Sequence, residues 1–508
     1  MKNVSSKVNN EQYFSTDHLK ADLKGRSVRG GAVTMAAQIT KFVLQMGSTV
    51  VLARLLVPED YGLIGMVTVV IGFAELFKDL GLSTATIQKA EINHKQVSTL
   101  FWINFAISCV TGLVVAGLAP VIAWFYKEPR LTWITLALAS SFILGGLTVQ
   151  HQALLKRQMS FTSLAKIEIT SMLAGVVTAM ISAWYGLGYW ALVFMQIATA
   201  IANAIGVWVA CSWRPGVPLR RSGIRSMLAF GGNMTGFNIV NYFSRNLDNI
   251  LIGQYWGPQQ LGLYAQAYKL LLLPINQINA PISTVALPAL SSLQSEPEKY
   301  RRYYYKAILL ITTIGMPIVA FMFASADKVI LLTLGKQWLE AVPIFRSLMP
   351  AAFIGTFNVA DGWVYQSLGR TDRQFLWGIV SSIINVIVFI ISIRWGAIGV
   401  ARGYSLYLIL QFLPRFFYCY RGTQLRNIDL ISTLLRPVLA SLGAAAVIII
   451  ITNQLISINT NLIIGLFIDW LLYCLAYFGI WIVLPNGKTT LLEMFQFTKV
   501  FKRKTREN

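Results

Sequence analysis

Residues 97–122 read VSTLFWINFAISCVTGLVVAGLAPVI, an unbroken run without Asp, Glu, Lys or Arg. A helix needs about 20 apolar residues to cross the hydrocarbon core of a bilayer, so this run is long enough to span. It is not alone. Similar stretches fall at 32–53, 61–82, 131–154, 163–185, 188–211, 228–253, 261–290, 305–326, 342–368, 375–394, 397–419, 434–455 and 462–484. The predicted fold is therefore an all-α integral membrane protein of about fourteen transmembrane helices. Composition agrees: 55% of the 508 residues are hydrophobic and only 13% charged, against about 25% charged in soluble domains.

A net charge of +22 in a soluble chain would point to nucleic acid, but its distribution points elsewhere. Outside the spans the Lys and Arg gather in alternate loops, among them Arg214 to Arg225 and Lys299 to Lys306, and in both tails. That is the positive-inside pattern of a membrane protein with cytoplasmic termini, and it leaves no role for nucleic acid. The N-terminus lacks the apolar core and cleavage site of a signal peptide. Cys109, Cys211, Cys419 and Cys474 are scattered through apolar stretches and fit neither a metal site nor a disulfide framework.

The chain also echoes itself. VLARLLVPEDYGLIG (51–65) and LIGQYWGPQQLGLY (251–264) align Pro58 with Pro258 and Gly62 with Gly262. HQALLKRQMSF (151–161) and VYQSLGRTDRQF (364–375) align Gln152 with Gln366 and Phe161 with Phe375. These pairs follow spans one and seven, and spans four and ten. They predict two like-oriented, pseudo-symmetric six-helix bundles. The expected organisation is a cytoplasmic tail 1–31, an N-terminal bundle 32–212, a cytoplasmic linker 213–226, a C-terminal bundle 227–420, two further helices within 421–485 and a basic cytoplasmic tail 486–508.

Ionisable residues inside spans are costly and mark functional positions. Lys41 lies nine residues into span one, about 14 Å deep, with no acid within a turn. Arg245 and Asp248 share one face of an Asn-rich span seven, and Lys269 lies in span eight with Gln266, Asn276, Gln277 and Asn279. Lys41, Arg245, Asp248 and Lys269 are the expected substrate-binding residues of a central cavity. Asp361 and Asp469 have no evident local partner and are candidates for ion coupling. Glu75, Lys78 and Asp79 form a compensated cluster, either a gate or a structural feature. Arg346 and Arg402 fall near the outer ends of spans ten and twelve, where they read as interfacial anchors. No metal-ligand spacing, phosphate loop or nucleophile motif appears, so neither an enzyme nor a cofactor is expected.

PEDYGLIGMVTVVIGFAELFKDLGLSTATIQ (58–88), LDNILIGQYWGPQQLGLYAQAYKLLLLPINQI (247–278), LGKQWLEAVPIF (334–345) and SLGRTDRQF (367–375) resemble the polysaccharide transporter family. These are the Wzx-type flippases of the multidrug, oligosaccharidyl-lipid and polysaccharide exporter superfamily, and the likeness is strongest to the colanic acid and teichuronic acid exporters. The resemblance implies a V-shaped pair of bundles in the bacterial inner membrane. It implies alternating-access translocation of undecaprenyl diphosphate-linked repeat units of a colanic acid-type exopolysaccharide, with membrane lipids and the polymerase and export machinery as partners. The alternatives are an ion-coupled drug exporter of the same superfamily and a membrane glycosyltransferase or polymerase. The basic surplus in the spans argues against a cationic drug.

Overall fold

The computed structural model describes residue 14 and residues 23–79, 82–89, 92–218, 225–454 and 461–490. The N-terminal tail apart from Phe14 and residues 23–31, the linker from 219 to 224 and the basic tail from 491 onward lie outside the described residues. The described chain is all-α: α1 (Leu23–Leu55), α2 (Pro58–Asp79), α3 (Leu82–Gln88), α4 (His94–Tyr126), α5 (Arg130–Arg157), α6 (Phe161–Trp184), α7 (Trp190–Ala210), α8 (Arg225–Ser292), α9 (Pro297–Ala324), α10 (Ala326–Thr333), α11 (Ala341–Gly355), α12 (Val359–Ser367), α13 (Thr371–Ser392), α14 (Gly396–Tyr420), α15 (Asn427–Gln454) and α16 (Leu462–Val483).

The quoted run 97–122 becomes the middle of α4, and local chemistry explains why the helix outgrows it. Asn93 accepts the Gln96 backbone N–H while the Gln96 side chain accepts the Asn93 N–H, a capping box that satisfies donors otherwise left bare. At the other end Lys127 turns left-handed (φ 56°) and donates to the carbonyls of Ala123 and Trp124. Both ends thus carry their own polar closure. Between them the surface is apolar, with Leu113 73% and Trp124 78% exposed, which suits lipid and not water.

Eleven stretches among the described residues are long and apolar enough to cross a bilayer, where the sequence predicts fourteen spans. The difference has a physical source. Two of the stretches, Arg245–Ser292 and Thr371–Tyr420, are 48 and 50 residues long and contain breaks, one at Gly257 (φ 79°, ψ −178°) and one at the 3-10 turn Ile393–Trp395. Helix α1, which carries Lys41 and Arg54, is not among the eleven.

Contacts divide the chain into two compact units, Met1–Gly262 and Leu263–Asn508, so that the boundary falls inside α8. In the first unit α4 packs on α5, α6 on α7 and α1 on α6. The α4–α5 pair closes over small residues: a Cβ on Gly146 would meet Ser108 Cβ at 2.7 Å, an approach open only to glycine. Residues 211–218 are pinned to α4. Trp213 donates its indole N–H to His94 Nδ1 (3.0 Å), the Gly216 N–H donates to Ser98 Oγ (2.9 Å), and Trp102 donates to the Gly216 carbonyl (2.8 Å).

The two echoed turns meet in this unit. Pro58 is the first residue of α2, and Pro258 follows the break at Gly257, positions where a missing N–H costs nothing. A Cβ on Gly62 would stand 1.7 Å from the Pro258 carbonyl oxygen, and one on Gly262 would stand 1.8 Å from the Pro58 carbonyl oxygen. Each glycine lies against the other segment's proline, the reciprocal pattern of a local two-fold contact.

In the second unit α9 packs on α15, α11 on α14, α13 on α14 and α15 on α16. Its main core gathers Tyr300, Tyr304, Trp363, Phe416 and Tyr420. The Tyr420 hydroxyl donates to the Tyr304 hydroxyl at 3.0 Å, which keeps two buried polar groups satisfied.

Candidate functional site

Within the first unit Lys41 is not alone, as its helix suggests. Its ammonium lies 2.6 Å from Glu168 Oε2 on α6, with the two side chains 27% and 50% exposed. Arg245 is exposed on α8, and Asp248, one turn on, is buried and accepts the Asn249 N–H at 2.8 Å. The same helix is fixed to α2 by Tyr242, whose hydroxyl donates to the Val69 carbonyl at 2.8 Å. Asn246 turns its amide back to the Tyr242 carbonyl (2.9 Å), so part of the Asn content serves the helix itself. Glu75 is exposed on α2, while the side chains of Lys78 and Asp79 lie outside the described residues. Asn233, Asn238 and Asn241 also have side chains outside them.

Near the start of α5, Arg130 binds both Glu128 (2.7 Å) and Glu59. The guanidinium hydrogen bond holds the Glu128 carboxyl below its usual range.

In the second unit Lys269 is half-buried and has no ion pair among the described residues. On the same helix Gln266 Oε1 and Asn279 Oδ1 are buried without a hydrogen-bond partner among the described residues. Such groups ask for water or a polar ligand.

Asp361 and Asp469, expected without partners, both have one. Arg415 on α14 grips Asp361 in bidentate fashion, Nε to Oδ2 at 2.8 Å and Nη2 to Oδ1 at 2.7 Å, and also donates to the Asn358 carbonyl. Lys328 on α10 lies 2.6 Å from Asp469. Pairing removes the lone carboxylate on which the ion-coupling reading rested. Glu168, Arg415 and Lys328 are the partners that local sequence reasoning missed. For Asp361 a signal existed: it lies six residues before the end of α12 and Arg415 five before the end of α14, about 8–9 Å from each end at 1.5 Å per residue. Among the described residues no group of three or more His, Cys, Asp or Glu could hold a metal.

Long apolar helices, several of whose charges are held in ion pairs between helices, define a multi-pass membrane protein. Among solved structures the chain is similar to one described as "Lipid II flippase MurJ, inward closed conformation", with a TM-score of 0.70, 14% identity, and coverage of 89% of this chain and 98% of that one; at this identity the likeness concerns the fold. The family described as "Polysaccharide biosynthesis protein" matches residues 51–343, and the chain belongs to it. It is similar to "Lipopolysaccharide biosynthesis protein WzxC" of Escherichia coli (strain K12), 24% identical over 402 residues, covering 78% of this chain and 81% of that one. It is also similar to "Teichuronic acid biosynthesis protein TuaB" of Bacillus subtilis (strain 168), 26% identical over 344 residues, covering 67% and 71%. The resemblance carried by residues 58–88 and 247–278 to the Wzx-type exporters is thereby confirmed.

Proposed function

We propose that this protein is a flippase of the bacterial inner membrane that moves a diphosphate-linked oligosaccharide lipid from the cytoplasmic to the outer leaflet by alternating access. The observation that carries the reading is the set of basic groups inside polar stretches of otherwise apolar helices, Lys41, Arg245 and Lys269, in a chain of the polysaccharide biosynthesis protein family. A diphosphate and its sugars cannot cross about 30 Å of hydrocarbon unless their charge is met on the way. Lys41, half-exposed and bound to one carboxylate, is suited to exchange that carboxylate for a ligand phosphate. Asp248 tempers the charge beside Arg245, and Asn and Gln groups serve the sugar hydroxyls. In this reading the breaks at Gly257 and Ile393–Trp395 each separate two crossings. Together with α1 they make fourteen spans, with both termini and residues 213–226 cytoplasmic.

The test is export in cells and lipid flipping in proteoliposomes. Lys41→Gln and Lys269→Gln should each abolish transport while protein remains in the membrane, and Lys41→Arg should retain more than Lys41→Gln. Arg245→Gln is paired with Asp248→Asn, so that loss of the cation does not leave a buried carboxylate alone. Normal transport by well-expressed Lys41→Gln and by the Arg245/Asp248 double variant refutes the assignment.

A further inference from the structure

Helices α11 and α14 border an open cleft of about 510 Å³ whose lining includes Pro343, Arg346, Pro350, Arg402, Leu406 and Ile409. Ser347 and Ser405 also border it, but their hydroxyls are already engaged. Ser347 Oγ donates to the Pro343 carbonyl (2.7 Å), and Ser405 Oγ donates to the Ser347 carbonyl (2.6 Å) while accepting the Ala351 N–H. These bonds fix α14 on α11 and thereby set the two arginine-bearing faces across one cleft. The polar groups left to meet a ligand are the guanidiniums. Arg346 spends its Nη2 on Asp327 of α10 and has no other side-chain hydrogen bond among the described residues. Arg402 is exposed and has no ion pair among the described residues. With one carboxylate against two cations the cleft is net positive, and its size falls in the ~300–1,000 Å³ range of small-ligand sites.

What leads away from the cleft identifies the ligand. Arg402, Leu406, Ile409 and Leu413 recur at helical spacing on one face of α14, and the three apolar residues are 57%, 47% and 51% exposed. The track therefore starts at a cation and continues apolar for about 16 Å along the helix axis. Arg402 lies 18 residues before Tyr420 at the end of α14, about 27 Å, which is close to the thickness of a hydrocarbon core. A cation at one border of the core with a greasy track running inward matches a phosphate that carries a chain.

We propose that this cleft is a binding site for the phosphate headgroup of an anionic lipid, with the lipid chain lying along Leu406, Ile409 and Leu413. Its lining includes none of Lys41, Arg245 and Lys269, and it does not depend on what the protein transports. Two guanidiniums present planar, multi-donor forks that suit phosphate oxygens better than lysine would, and the apolar track selects a lipid-borne phosphate over a free one.

The experiment titrates dioleoyl phosphatidylglycerol into delipidated, detergent-solubilised full-length protein, followed by native mass spectrometry, with phosphatidylcholine as the neutral comparison. Wild type should prefer the anionic lipid, and Arg402→Gln should lose about five-fold of that preference, the scale expected for one basic residue at a membrane surface. Arg402 has no ion pair among the described residues that its loss would strand, so the variant should keep its elution profile. The double variant Asp327→Asn with Arg346→Gln removes the second guanidinium without leaving a lone carboxylate; because the net charge of the cleft is unchanged, it should lose less than Arg402→Gln, through the missing donors alone. Inorganic phosphate should not displace the lipid, and Leu406→Ser with Ile409→Ser should weaken lipid binding. An unchanged preference in both charge variants overturns the site. Displacement by inorganic phosphate, or insensitivity to the serine substitutions, overturns the lipid as its ligand.

Discussion

Gly62→Ala tests the reciprocal crossing of the two echoed turns. The added Cβ would stand 1.7 Å from the Pro258 carbonyl oxygen, where ordinary contacts lie at 3.4–4 Å. Admitting it requires a shift of about 1.7 Å between close-packed backbones, which have no flexible side chain to give way. Overpacking of this kind costs about 1–3 kcal/mol, and alanine's better helix propensity returns about 1 kcal/mol. Because the obstacle is backbone, the upper end applies, a net loss of about 2 kcal/mol. For a unit of this size that is a fall of about 4–8 °C in melting temperature. Gly262→Ala, facing the Pro58 carbonyl at 1.8 Å, should behave alike. Gly117→Ala on α4, with nothing within 4 Å, is the comparison and should be neutral or slightly stabilising. The assay is the apparent melting temperature of purified protein in one detergent, read by size exclusion. Since one separation admits both methyl groups, the double variant should lose less than the sum of the singles. If Gly62→Ala melts with Gly117→Ala, or if the two losses simply add, the crossing is not the close reciprocal contact described.

Two further outcomes concern the ionised groups. Asp361→Asn strands the half-buried Arg415 and should cost about 3 kcal/mol, the lower end for a buried pair, while Asp361→Asn with Arg415→Gln should recover most of the lost thermal stability; transport by that stable double variant would show the pair to be structural, and its absence would return Asp361 to a coupling role. Arg130 holds the Glu128 carboxyl low, so the clasp contributes fully above the unfolded carboxylate value of about 4.3 and fades as pH falls through the lower folded value. Melting curves should therefore decline more steeply on acidification below about pH 4 for wild type than for Glu128→Gln, and superimposable pH profiles would contradict the clasp.

The helices were legible wherever hydrophobicity alone decides, as in 97–122, because the bilayer enforces internal hydrogen bonding. Their ends were less so: α4 runs from His94 to Tyr126 on the strength of a capping box and a left-handed lysine that hydropathy does not register. The pairing of charges was the least legible. Lys41 meets Glu168 127 residues away, and Asp361 meets Arg415 54 residues away, separations at which neighbours within a turn say nothing. Depth within the helix carries that information, and opposite charges at matched depth in different spans are the pattern to seek. The Pro-Gly echo at 58–62 and 258–262 was visible as turn chemistry, but its reason, a backbone-to-backbone approach, is visible only in three dimensions.

That approach also sets a timetable for assembly. The surface of α2 around Gly62 is built early, and the Pro258 carbonyl that covers it belongs to a segment 200 residues further along the chain. At synthesis rates of about 5–20 residues per second the notch stays uncovered for roughly 10–40 s. During that interval the newly inserted helices must keep the notch from premature partners, so the first unit matures only once the segment around Pro258 and Gly262 has been made.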